Sequence, residues 1–178
     1  MMRLAPILAA LLLGGCATTS APPAALDRVE YDTKSWGRVV SGWVIGPQGG
    51  GTWYERVNES GQPGPVGPYR VEYHDLEVGE EGFTRLAALL GDLPDPAPGY
   101  AECREFRTDD YYGALRLTSG ATTQEVSYNQ GCMDADYQQF MRRLLAADAL
   151  VASWGKAAPV TRVLRYAADG AQPTETIN

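Results

Sequence analysis

Apolar residues recur along this chain with two different periods, and the change from one to the other marks its elements. From Tyr69 to His74 the alternation is strict. Tyr69, Val71 and Tyr73 fall on one face and Arg70, Glu72 and His74 on the other, which predicts a half-buried strand. A helical period follows, with Phe83, Leu86, Ala87 and Leu90 at i, i+3, i+4 and i+7. Glu80 and Glu81 sit in the first turn and Gly91 just past the last, so an amphipathic helix is predicted over 80–90. A longer stripe runs through Tyr137, Phe140, Met141, Leu144, Leu145, Val151 and Trp154, interrupted at Asp148 and ended by Gly155. Asp134 or Asp136 is placed to cap it.

The remaining runs read as strands and loops. Val39–Ile45 and Thr52–Val57 are rich in β-branched and aromatic residues and flank Gly46-Pro47-Gln48-Gly49-Gly50-Gly51, the pattern of a hairpin. Asn58–Pro68 is too rich in proline and glycine for regular structure, and 92–99 predicts a rigid loop. A meander is expected over Cys103–Arg107, Gly113–Thr118 and Thr122–Tyr128, turning at Ser119-Gly120, with Leu115, Leu117, Val126 and Tyr128 facing the core. Val160–Tyr166 suits one last strand or short helix, and 167–178 a loose tail. Together these predict a single α+β domain over 29–166, an antiparallel sheet of about five or six strands with two amphipathic helices packed on one face.

Ahead of that domain the pattern is different again. Arg3 precedes the apolar run Ile7–Leu13, which ends in Gly14, Gly15 and Cys16. A spanning helix needs about 20 apolar residues, and this run is shorter and is followed by the polar, proline-containing stretch 17–23. A positive start, a short apolar core and small residues before a cut define a secretory signal. With cysteine at the junction, Leu13-Gly14-Gly15-Cys16 resembles the lipobox of bacterial lipoprotein precursors. That resemblance implies removal of 1–15 by signal peptidase II, acyl chains on Cys16 as the membrane anchor, and 16–28 as a flexible tether. Ala17 after the cysteine implies, by the same analogy, the outer membrane, with the domain facing the periplasm. In that oxidising compartment Cys103 and Cys132 remain as an even pair, and a disulfide between them is expected. They lack the close spacing of a C-x-x-C metal or redox motif.

Charge narrows the partners. The 178 residues carry a formal net charge of −7, and the part after residue 15 has no concentrated basic stretch, which argues against nucleic-acid binding. The chemistry-bearing residue types are sparse. His74 is the only histidine, and its place in the alternation predicts an exposed, non-catalytic side chain. Ser153 and Lys156 have S-x-x-K spacing, but at a helix end rather than a helix start. Gly49-Gly50-Gly51 lacks the following Gly-Lys-Ser/Thr of a phosphate loop. Asp109-Asp110 and Asp134-Ala135-Asp136 do not complete a calcium loop, and capping and solvation account for them. No catalytic residue, metal ligand or cofactor site is therefore assigned.

Aromatic residues leave more room for function. Trp36, Trp43, Trp53, Tyr54, Tyr111 and Tyr112 include two adjacent pairs, and neighbours on a strand point to opposite faces. One of each pair, Trp53 or Tyr54 and Tyr111 or Tyr112, is expected at the surface, where aromatic rings anchor protein partners or glycans. The expectation is a non-enzymatic envelope lipoprotein that binds an envelope protein or peptidoglycan through its sheet face or through the proline- and glycine-rich loops at 58–68 and 92–99. Two alternatives stand beside it. One is a hydrolase working through carboxylates drawn from Asp109, Asp110, Glu125 and Asp134. The other is an inhibitor of a secreted enzyme, since small disulfide-tied envelope lipoproteins include lysozyme inhibitors.

Overall fold

The computed structural model describes residues 26–59, 61, 67–168 and 173–177. The signal, Cys16 and most of the expected tether lie outside the described residues. Ten elements follow in chain order: β1 (Arg28–Ser35), β2 (Arg38–Ile45), β3 (Gly50–Asn58), β4 (Tyr69–Glu77), α1 (Gly79–Gly91), β5 (Tyr112–Ser119), β6 (Thr122–Asn129), α2 (Ala135–Ala157), β7 (Val160–Tyr166) and β8 (Thr174–Ile177). The strands form one antiparallel sheet of eight, ordered β6-β5-β1-β2-β3-β4-β7-β8.

The expected five or six strands are thus corrected to eight, and the domain is more strand-rich than its helical stripes suggested. Arg28–Ser35, the first piece of the predicted domain, is a central strand between β5 and β2. Thr174–Ile177, expected as a loose tail, pairs with β7. In the opposite direction, Cys103–Arg107 is not a strand and makes only an isolated bridge, Phe106 to Cys132.

Topology explains why both helices lie over one face. The β4–α1–β5 and β6–α2–β7 connections each carry the chain between the two flanks of the sheet. From β6 to β7 is six strand spacings, about 29 Å, and the 23 residues of α2 cover about 35 Å. The helix is long enough to cross in one piece. Beneath it the register aligns one row across six strands: Val126, Leu115, Tyr31, Trp43, Trp53 and His74. Phe83, Leu86 and Leu90 of α1 and Tyr137, Phe140, Met141, Leu144, Ala147 and Val151 of α2 close over that row as a single core.

Three residues play parts other than those their sequence context suggests. Gly155 does not end α2 but lies inside it, where a Cβ would collide with the ring of Trp53, so glycine is what lets helix and sheet approach. Asp148, the break in the apolar stripe, accepts a hydrogen bond from Trp43 Nε1 at 3.0 Å. Burial is the main influence on its carboxyl and raises its pKa. His74 is corrected from exposed to buried, with 6% of its surface accessible. The alternation of β4 is as expected, but the His74 face is the one that α2 covers. Its Nδ1 pairs with the carbonyl of Ala158 at the end of α2, 2.8 Å away, and its ring lies 5.0 Å from that of Trp53.

Candidate functional site

The four aromatics singled out in the sequence separate into three places. Trp53 is 1% exposed and belongs to the core. Tyr54 points to the helix-free face of the sheet, where its ring crosses Gly42 and meets Tyr73 at 5.4 Å. Burial there pushes its hydroxyl pKa up to about 12. That face also holds Arg162 over Tyr73 at 3.9 Å and Arg56 over Tyr69 at 4.1 Å, with Tyr69 stacked on Tyr166 at 4.6 Å. Tyr69 and Val71 are buried on this face, so part of it is covered by its own side chains rather than open.

Tyr112 is brought together with two aromatics that the sequence did not single out as a site, and Tyr111 is its exposed chain neighbour. Trp36 is 66% exposed, Tyr111 45% and Phe106 44%. Trp36, Phe106 and Tyr112 line a shallow cleft of about 350 Å³ with Arg107, Asp110 and Asn129, and Tyr111 follows directly on Asp110. The cleft lies where the β1–β2 turn meets the loop between α1 and β5.

Each side of the cleft is built firmly. Ser35 pairs with Arg38, so Trp36 and Gly37 form a two-residue hairpin loop, and both have positive φ, 53° and 73°. That is the signature of a type I′ turn. The turn is fastened by the Gly37 N–H, which donates to the hydroxyl of Tyr112 at 2.9 Å. Opposite, Cys103 and Cys132 form the expected disulfide, tying the loop to the end of β6. Backbone bonds continue the fastening: Arg107 N–H to Gly131 O, Met133 N–H to Glu105 O and Gln130 N–H to Tyr111 O, each 2.8 Å. A Cβ on Gly131 would strike the Arg107 carbonyl, so this close approach requires glycine.

Of the four carboxylates considered for hydrolysis, three accept hydrogen bonds from separate partners. Asp110 accepts from Arg107 Nη2 at 3.1 Å and from its neighbour's backbone N–H at 2.9 Å. Glu125 accepts from Arg116 Nε at 2.7 Å. Asp134, at the start of α2, makes no side-chain capping bond and instead accepts from the backbone N–H groups of Arg104 and Glu105, both at 3.2 Å. Those bonds, the Arg104 N–H foremost, hold its carboxyl below the ordinary range. Asp109 lies on the cleft wall with a φ of 65°, a left-handed conformation that aspartate tolerates.

Among the described residues no group of three or more histidine, cysteine, aspartate or glutamate side chains is placed to hold a metal ion, and no helix is long and apolar enough to cross a membrane. No protein-family model, curated protein or solved structure matches the chain. The signal for the cleft was nevertheless present in the sequence. Trp36-Gly37 is a two-residue loop between strand-like runs, with tryptophan where Asn-Gly is the common choice.

Proposed function

We propose that the chain is an envelope lipoprotein, anchored through lipid on Cys16 to the outer membrane and facing the periplasm. Its domain acts as a binding module and not as an enzyme, with the cleft around Trp36 as the contact surface for an envelope protein or peptidoglycan. The observation that carries this is Trp36 itself. A left-handed backbone costs a non-glycine residue about 1–2 kcal/mol, and Trp36 combines that cost with an indole 66% exposed to water. Asparagine would serve the turn better on both counts. A residue kept against the preferences of its own turn is explained by what it touches outside the fold. Phe106 extends the ring surface, and the disulfide-tied loop keeps it in place, which lowers the ordering cost of binding.

A substitution test separates binding from folding. Trp36→Asn is expected to melt at the same temperature as the parent or up to about 1 kcal/mol more stable. It should lose both co-sedimentation with purified peptidoglycan sacculi and the specific envelope crosslink formed by a photoreactive group at Tyr111. A Trp36→Asn chain that keeps whichever of these the parent shows, or a parent that shows neither, overturns the proposal.

A further inference from the structure

The opposite end of β1 holds an opening of different chemistry. There α1 stands away from the β5–β6 hairpin and leaves a cavity of about 520 Å³, walled by Phe83, Leu90, Leu93, Leu117 and Val126. Leu26, the first described residue, forms part of the same wall. The size is that of a small-molecule site, commonly about 300–1,000 Å³. Asp95 is the one charged residue of the lining, and no lysine or arginine is among it.

We infer that this cavity receives one acyl chain carried by Cys16 of the same molecule, an inference that rests on the lipoprotein reading above. Three observations converge on that occupant. The lining is hydrocarbon-like, and each methylene moved from water into it is worth about fourfold in affinity, at about 0.8 kcal/mol per CH₂. Asp95, with no cation beside it in the wall, repels the carboxylate of a free fatty acid but not an esterified chain on a thioether-linked glyceryl group. The chain also enters the domain at the cavity wall. From Leu26 back to Cys16 is ten residue steps, at most about 36 Å, so the lipid stays within reach at a high effective concentration. With one chain in the cavity and the others in the leaflet, the α1 end of the domain is held against the membrane.

Binding of an uncharged fluorescent monoacylglycerol tests this, using the mature Cys16→Ser chain and the lipidated protein, with acylation of Cys16 read from the intact mass. The Cys16→Ser chain is expected to bind the probe one-to-one. Laurate should bind it at least tenfold more weakly, and Leu117→Trp, which fills the cavity, should weaken probe binding at least tenfold. Ala87→Phe on the helix wall is the second filling variant, used if Leu117→Trp fails to melt cooperatively. The lipidated protein should bind the probe at least tenfold more weakly than Cys16→Ser, because its own chain competes. Absence of saturable binding, or binding untouched by the filling variant, shows that the cavity is not an acyl site. Equal binding by the lipidated protein removes the Cys16 chain as occupant, and laurate binding as tightly as the ester removes the assignment to an esterified chain. An unmodified Cys16 in the intact mass overturns the lipoprotein reading and the source of the chain together, while leaving the first two results to report on the cavity itself.

Discussion

Single residues in this domain are set by what lies across from them more than by their own class. Gly155 is the plainest case, because the atoms a Cβ would meet are those of the Trp53 ring, buried in the central row of the sheet. Gly155→Ala should cost about 1–3 kcal/mol by overpacking, although in an exposed helix the same change stabilises. Thermal melting decides it, and an unchanged or higher midpoint would show that α2 shifts freely over the sheet. Asp148 gives a prediction in pH. Burial raises its folded pKa, so between the ordinary aspartate value, about 3.9, and that raised value the native state holds a proton the unfolded chain has released. Stability therefore falls as pH rises through this window, and above it the cost of the buried charge is fully present. Asp148→Asn keeps an oxygen acceptor for Trp43 Nε1 and removes the charge. It should raise the neutral-pH melting temperature and flatten the acid-side slope; an asparagine variant less stable at pH 7 would mean that ionised Asp148 holds Trp43 better than it suffers from burial.

At the scale of elements, legibility followed how local the determining contacts are. The helices, the β2–β3 and β5–β6 hairpins and strand β4 were readable because periodicity and turn residues fix them within a dozen positions. Strand β1 alternates just as clearly, with Val29, Tyr31 and Thr33 inward, but it sits where a tether was expected to end. Its place at the centre of the sheet depends on β5, more than 70 residues away along the chain. His74 shows the same limit: alternation assigned its face, but only the crossing of α2 decided that the face is buried. The cleft was half legible, Tyr112 by its adjacency to Tyr111 and Trp36 by its place in a two-residue loop, Phe106 only once the disulfide loop and the β1–β2 turn had met. That meeting predicts the effect of losing the crosslink. The two cysteines are 29 residues apart, and a loop of that size contributes about 3–4 kcal/mol in the chain-entropy view. The Cys103→Ser, Cys132→Ser double variant should lose about that much in denaturant unfolding. It should also loosen 103–111 selectively, seen as faster amide exchange there than in β2–β4; uniform exchange across the domain would show that backbone bonds alone hold the platform.

For the whole molecule, the arrangement along β1 puts the two proposed sites at opposite ends of one strand. Leu26 and the apolar cavity lie at its start and Trp36 at its finish, and eight strand residues separate them by about 24 Å. If the proposed acyl chain holds the first end at the leaflet, the aromatic cleft faces outward, away from the bilayer. The formal charge of −7 points the same way, since an acidic body is repelled by an anionic lipid surface and gains nothing from it without the acyl chains. Replacing Cys16 by serine separates the two ends. The Cys16→Ser chain should leave the membrane fraction, remain folded and monodisperse without detergent, and keep its contact with purified partner, because the described residues that line the cleft all follow Leu26. Its melting temperature should drop only by what an acyl chain in the cavity contributes, and added uncharged monoacylglycerol should restore that difference by ordinary ligand linkage. If the serine variant unfolds, the segment before Leu26 belongs to the core and is no tether. If it folds, but stays in the membrane fraction after a high-salt wash, something other than Cys16 holds the protein there, and the outward presentation of the cleft loses its physical basis.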